Sequence, residues 1–206
     1  MKKEEEPVDK LYYEKQLLAA GCRYIAGTDE VGRGPLAGPV VAAVVVMPFQ
    51  QELLIEGVDD SKKLSAKKRE KLAEIIKERA LFYQICRVEA DEIDRLNILQ
   101  ATRLCMKQAI EKLPIIPDMV LTDGNMTLDI DCPQQSVVHG DALSYSIGAA
   151  SILAKVYRDA LMDEYAKQYP HYAFEKNKGY GTAAHIAGIK EFGLCEIHRR
   201  TFTKNF

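Results

Sequence analysis

Two adjacent carboxylates, Asp29 and Glu30, close a short apolar run and are followed at once by Gly32-Arg33-Gly34-Pro35. Carboxylates are hard oxygen ligands, suited to Mg2+ and to chemistry at phosphate esters. A guanidinium between two positions without side chains adds a planar donor fork and a closely approachable backbone, which suits a phosphate held near metal. A surface turn is the plainer use of two acids at a strand end, and the flanking G-R-G-P weighs against it. Two more acids stand in similar places. Asp123 follows M-V-L-T and opens D-G-N, and Asp141 follows S-V-V-H-G. Asp141 alone would read as a helix N-cap. Four carboxylates gathered without cations repel one another and raise some of their own pKa values. Such a cluster costs stability, so its existence points to function. Two Mg2+ ions about 3.5–4 Å apart would activate a water and stabilise the charge of phosphodiester hydrolysis, with no histidine or cysteine required.

The elements that must position these acids follow from periodicity. Residues 8–20 carry Leu11, Leu17 and Leu18 at near-helical spacing and stop at Gly21, after a charged tail over residues 1–7. Residues 24–47 read as strand, turn, strand, the second a Val/Ala run too β-branched to prefer helix. Successive strand residues face opposite ways, so Asp29 and Glu30 share a site only if the chain bends near Glu30. The glycines at 32 and 34 permit that bend. Residues 50–60 read as loop. The stretch 61–71, S-K-K-L-S-A-K-K-R-E-K, sets six basic residues against one acid, with Ser65 placed to cap a helix carrying Leu72, Ile75 and Ile76 to Arg79. Lys62 and Lys63 precede that helix, either as a solvated face or as a phosphate-facing patch.

A third strand is expected over 81–88, a short helix capped by Asp91, and an amphipathic helix over 98–113 stopped by Pro114. Short strands at 119–122 and 136–138 end near Asp123 and Asp141. A long small-residue helix is predicted over 142–169, stopped by Pro170. An irregular aromatic stretch covers 172–181, and a last helix capped by Thr182 runs through Phe192 to Gly193. This order predicts an α/β fold with a mixed sheet, and acids at its strand ends occupy the usual ligand-binding edge.

The composition bounds the alternatives. The 206 residues are 47% hydrophobic and 28% charged, which suits one globular domain over 1–206. The net charge of −2 excludes a global basic field, so nucleic-acid binding would rest on local patches. The longest Val/Ala stretch is too short to span a bilayer, and the charged N-terminus does not read as a secretory signal. Cys22, Cys86, Cys105, Cys132 and Cys195 are scattered and odd in number, which fits reduced thiols in a cytoplasmic protein. His139, His171, His185 and His198 lack metal-ligand spacing and read as structural. Asp159 lies four residues after Lys155, the spacing of a helix-surface ion pair. Arg199 and Arg200 either touch nucleic acid or solvate the tail.

Seven pieces together carry a family resemblance: D-E-V-G-R-G-P-L-A-G-P-V from Asp29, D-S-K-K-L-S from Asp60, D-G-N from Asp123, G-D-A from Gly140, S-I-L-A-K-V-Y-R-D from Ser151, K-G-Y-G-T from Lys178, and H-R-R-T-F from His198. In this order, over about residues 24–202, the chain resembles bacterial type 2 ribonuclease H, ribonuclease HII. The resemblance implies a ribonuclease H-like five-stranded mixed sheet flanked by helices, with a mostly helical C-terminal part from about residue 142. It implies four metal-binding acids at Asp29, Glu30, Asp123 and Asp141, loaded with Mg2+ or Mn2+. A ribose-sensing motif would fall on Gly32, Arg33 and Gly34, and a junction-reading tyrosine on Tyr180. Phosphate contacts would fall on Lys155 and Arg158. An aspartate as fourth acid, with no additional N-terminal domain, separates the chain from ribonuclease HIII.

The activity so implied is a metal-dependent endonuclease acting on RNA–DNA hybrids and on DNA duplexes containing ribonucleotides, as a monomer. It would incise 5′ of an embedded ribonucleotide, leaving 3′-hydroxyl and 5′-phosphate ends. The 2′-hydroxyl alone marks one ribonucleotide in a DNA-like duplex. Glycines at 32 and 34 would let the backbone approach it, while Tyr180, between two glycines, could lay its ring on a sugar. Two alternatives remain: a nuclease of the same fold acting on another phosphodiester substrate such as DNA, and a non-catalytic hybrid-binding module.

Overall fold

In the computed structural model, which describes residues 9–205, the chain is built outward from its Val/Ala run. Strand β1 spans Ile25–Val31 and β2 spans Val40–Val46; they pair antiparallel with Ala26 opposite Val46 and Glu30 opposite Ala42. Every residue of β2 is buried. The period of two sends Val40, Ala42, Val44 and Val46 into one apolar cluster and Val41, Ala43 and Val45 into another. Strand β3, Phe82–Val88, pairs antiparallel with β2 at one edge. Strands β4, Met119–Asp123, and β5, Gln134–Val137, extend the other side, both parallel. The sheet is therefore five-stranded and mixed, in the order β3-β2-β1-β4-β5, as expected.

Helices cover both faces. They are α1 (Tyr12–Ala19), α2 (Ala66–Arg79), α3 (Ala90–Leu96), α4 (Ile98–Glu111), α5 (Gly140–Leu143), α6 (Tyr145–Gln168), α7 (Phe174–Asn177) and α8 (Ala183–Phe192). Helix α4 packs on the first cluster, through Ala101, Cys105, Met106, Ala109 and Ile110. Helices α2 and α6 pack on the second, through Leu72, Ile76, Ala149, Ala150, Ile152 and Leu153. Helix α6 lies on the backbone of β1: a Cβ added at Gly27 would stand 2.2 Å from the Ser146 carbonyl carbon. A third cluster of Ala37, Met162, Tyr172, Phe174, Ile189 and Ile197 builds the C-terminal part. No helix among the described residues is long and apolar enough to cross a membrane.

Several boundaries differ from the sequence expectations. The first helix begins at Tyr12, and the expected tail over 1–7 lies outside the described residues. The single helix expected over 142–169 is two. Ser144 is extended at ψ 130 and its hydroxyl accepts from Ile147 N at 3.2 Å, capping α6 afresh. What fixes the break is Glu14, fully buried, whose Oε1 accepts from Ser144 Oγ (2.6 Å) and Ser146 N (3.0 Å). Asp91 sits inside the first turn of α3 and does not cap it; Asn97, at φ 71, caps α4 by accepting from Leu99 N and Gln100 N. The stretch expected to be irregular holds a 3-10 turn at Pro170–Tyr172 and the short α7. Ser65 and Thr182 cap α2 and α8 as expected.

Candidate active site

Asp29 and Glu30 lie inside β1, and the ladder continues past them to Val31 opposite Val41. The expected bend near Glu30 is therefore absent, and the two acids leave the strand on opposite faces. Asp29 turns toward α6 and Ser151, while Glu30 shares the α4 side with Ala26. They meet the other acids over the strand ends. The carboxylate of Asp123, at the end of β4, raises the pKa of both Asp29 and Glu30. Asp123 Oδ1 also accepts from Gly140 N at 2.6 Å, which ties β4 to the start of α5 and places Asp141 beside it.

The electrostatics are those of crowded carboxylates. Asp29 is raised well above the usual range, by burial first and then by Glu30 and Asp123. Glu30 is raised by burial, with Arg33 opposing and Asp123 reinforcing. Asp141 is raised by burial, then by Asp123 and Asp60. The protein's own cations stand against this group: Arg33 Nη1 lies 3.3 Å from Glu30 Oε1, and Lys62 Nζ 3.7 Å from Asp141 Oδ2. Among the described residues, no three acidic, histidine or cysteine side chains converge into a ready cage for one ion. The donors nonetheless fit Mg2+ or Mn2+: all are hard oxygens, and the buried Glu30 Oε2 has no hydrogen-bond partner.

Sequence reasoning passed over three residues here. Asp60 adds a carboxylate next to Asp141, and its Oδ1 accepts from Lys62 N at 2.9 Å. Ser151 lies beside Asp29 and donates to Ser61 Oγ at 2.9 Å, fastening the Lys62 turn to α6. All three stand in the pieces that carry the resemblance, D-S-K-K-L-S and S-I-L-A-K-V-Y-R-D, and that was the available signal.

The loop after β1 rests on two buried guanidiniums. Arg199 donates to Gly32 O (2.5 Å), Arg33 O (2.9 Å) and Gly38 O (2.8 and 3.0 Å). Arg158 donates to Pro39 O (2.9 Å), Lys178 O (2.9 Å) and Ala37 O (3.2 Å). Both are 0% exposed. Arg158 therefore has no surface to offer a phosphate, and Arg199 neither touches nucleic acid nor solvates the tail. Burial lowers Arg158 to about 10 and Arg199 to about 9, which leaves both charged at neutral pH. Gly32, at φ 96, leaves no room for a Cβ beside the Arg158 Nε, 2.3 Å from its position. In a trans peptide the C=O and the following N–H point opposite ways. Since the carbonyls of residues 32 and 33 point inward to Arg199, the N–H groups of Arg33 and Gly34 point away from it.

Tyr180 is 47% exposed, and its Cε1 lies 3.6 Å from where a Cβ of Gly34 would be, so the two glycine-flanked loops meet. Lys62 and Lys63 are exposed near the acids, Lys63 also facing Asp59 at 3.9 Å. Lys155 is instead held by Asp159 at 2.6 Å, the expected i,i+4 pair, with Arg69 on the other carboxylate oxygen at 3.6 Å. Arg200 donates its N–H to Asp94 at 2.7 Å.

The sequence profile described as ribonuclease HII matches residues 26–205. The chain belongs to the ribonuclease HII family. The ribonuclease HII of Caldicellulosiruptor saccharolyticus is 52% identical over 200 residues, 96% of this chain and 97% of its own length. The solved ribonuclease H2 of Pyrococcus horikoshii superposes with a TM-score of 0.76 at 27% identity, over 88% of this chain and 94% of that one. A Bst ribonuclease HIII solved in complex with Mn2+ shares the fold, with a TM-score of 0.68 at 20% identity over 90% of this chain and 67% of that one. As a ribonuclease HII, the protein is an endonuclease that hydrolyses RNA phosphodiester bonds. The family is metal-dependent.

Proposed function

We propose that this ribonuclease HII cuts 5′ of ribonucleotides embedded in DNA, with Asp29, Glu30, Asp123 and Asp141 holding Mg2+ or Mn2+. The observation that carries the reading is the buried, unpartnered Glu30 Oε2 among carboxyls whose pKa values are raised by one another. Bound divalent cations would activate the attacking water and neutralise charge on the phosphoryl oxygens. Every other step belongs to the chain. Asp123, tied to Gly140 N, is held beside Asp29 and Glu30. Ser151 and Ser61 fix the Asp29 side of the group, while Lys62 offers an exposed cation to the scissile strand. Arg33 and Gly34 present N–H groups turned away from Arg199, toward a 2′-hydroxyl or its neighbouring phosphate, and Gly32 shapes the turn that holds them. Tyr180 supplies an aromatic face for the adjoining sugar.

Lys63 supports the same phosphate track. Lys155 and Arg158, both engaged inside the protein, act through the position of α2 and of the loop rather than by contact. The test is cleavage of a duplex with one ribonucleotide, a long RNA–DNA hybrid and an all-DNA duplex, each with Mg2+, Mn2+ or chelator. Cuts confined to the ribose-containing duplexes and dependent on cation are expected. Cleavage of all-DNA duplex, or undiminished cleavage by amide variants of all four acids, would refute the assignment.

A further inference from the structure

Behind Tyr180 lies a buried pair of histidines that the site does not use. His185, in the first turn of α8, and His198 are 0% and 3% exposed. Their Nε2 atoms are 3.0 Å apart. His185 Nδ1 lies 2.9 Å from Tyr180 O, and His198 Nδ1 lies 2.9 Å from Cys195 N.

The protons follow from the two ends. A backbone carbonyl only accepts, so Nδ1 of His185 must carry hydrogen. A backbone N–H only donates, so Nδ1 of His198 must be bare. In neutral rings the central contact then has one direction: His198 Nε2–H donates to His185 Nε2. Reversing either tautomer breaks an outer bond, and a proton added to either ring leaves two N–H groups or two donors facing each other.

The surroundings favour the neutral form. Tyr172 packs edge-on, 4.8 Å from His198 and 6.1 Å from His185, and Phe174, stacked on Tyr172, lies 5.9 and 5.1 Å from the same two rings. Tyr172 and Cys195 are the titratable side chains against the pair, Cys195 Sγ lying 3.1 Å from His198 Nδ1. The Arg199 guanidinium next in sequence is turned to the loop carbonyls of residues 32, 33 and 38. Burial accordingly lowers His198 to about 4 and lowers His185 as well.

We propose that His185 and His198 are positioning residues for Tyr180, a neutral and directional imidazole pair that anchors the tyrosine's carbonyl and so fixes its ring against Gly34. The inference rests on the reading of Tyr180 as the sensor of the sugar beside an embedded ribonucleotide. The Tyr180 carbonyl is held from two sides, by His185 and by Thr182 N at 2.8 Å, and its N–H by Asn177 O at 2.9 Å. The tyrosine loop meets the glycine loop directly, Gly179 O accepting from Leu36 N at 2.8 Å; among the described residues, the histidine bond alone ties it to the 195–198 segment, which itself pairs with the glycine loop at Ala37.

The experiment compares His185→Gln, His185→Asn, Tyr180→Ala and the His185→Gln/Tyr180→Ala double variant on both ribose-containing substrates. Glutamine loses the donor at the Nδ1 position, whereas asparagine keeps one there. His185→Gln should lower kcat/KM on the single-ribonucleotide duplex by about tenfold, the rate equivalent of one lost buried hydrogen bond, with the long hybrid within about twofold. His185→Asn should recover most of the loss, and His185→Gln should add nothing in the Tyr180→Ala background. Equal losses on both substrates for Tyr180→Ala would sink the sugar-sensing reading; the pair is then judged by non-additivity alone. Additive losses, a loss in His185→Gln where Tyr180→Ala has none, or no rescue by asparagine would each overturn the positioning role. Nitrogen NMR of the wild-type imidazoles decides the matter without any variant. It should show Nδ1–H for His185 and Nε2–H for His198 at neutral pH, and the opposite tautomers would overturn the proposal.

Discussion

Asp123 shows how one side chain can be costly to the fold and necessary to the reaction. One oxygen accepts the Gly140 N–H, a bond an amide oxygen keeps, and its charge repels Asp29, Glu30 and Asp141. Asp123→Asn should therefore melt no lower than wild type in chelator, while turnover with Mg2+ falls at least about a hundredfold, the scale of one lost electrostatic contact to a transition state. A clear drop in melting temperature would make Asp123 a structural residue. At this scale the sequence was readable where residue type implies chemistry: four acids, two glycines and an exposed tyrosine stand where their motifs suggested. Arg158, Arg199 and Glu14 were not readable, because charge in a sequence implies solvent and nothing local announces burial. Arg158 was taken for a phosphate ligand from the family resemblance, which carries position but not burial. Two of its three carbonyl partners, at Ala37 and Pro39, lie more than a hundred residues away.

Among the elements, β1 and α6 set the geometry on which everything near the acids depends. Helix α6 lies on β1 with no gap for a methyl group at Gly27, and the obstructing atoms are backbone. Gly27→Ala must push the helix off the strand. The expected cost is about 3 kcal/mol, the upper part of the range for overpacking, measured by denaturant unfolding. Since Ser151 rides on α6 beside Asp29 and holds Ser61, the variant should also lose activity beyond its loss of folded protein. The strands were legible because β-branched runs and alternation are local signals. The break at Ser144 was hidden in a run of small residues that suits helix throughout, and Glu14, which holds it open, is 130 positions away. The bend wrongly expected at Glu30 came from requiring paired acids to share a face. A site above the end of a strand is open to both faces, so alternation and convergence do not conflict.

For the whole molecule, a net charge of −2 leaves duplex binding to a local patch. Neutralising Z phosphates of a DNA-like duplex gives a log–log salt slope near −0.9Z. Changing Lys62 and Lys63 together to alanine should shrink that slope by roughly one to two, with ribose preference unaltered. An unchanged slope would leave both lysines as counter-ions to Asp141 and Asp59. The division of the interior has a consequence for fidelity. The acids belong to the sheet and the clusters on its two faces, whereas Tyr180 hangs on a separate cluster around Phe174 that lies off the sheet. Units with fewer buried contacts open first. On warming, the enzyme should pass through a range in which it still cuts but no longer chooses well, single-ribonucleotide duplexes losing their advantage before long hybrids stop being cleaved. Cleavage ratios taken along a thermal ramp would reveal such a window, and simultaneous loss on both substrates would rule it out. A nuclease built this way becomes careless before it becomes inert, so its safe working temperature is set by the core that carries its sensor.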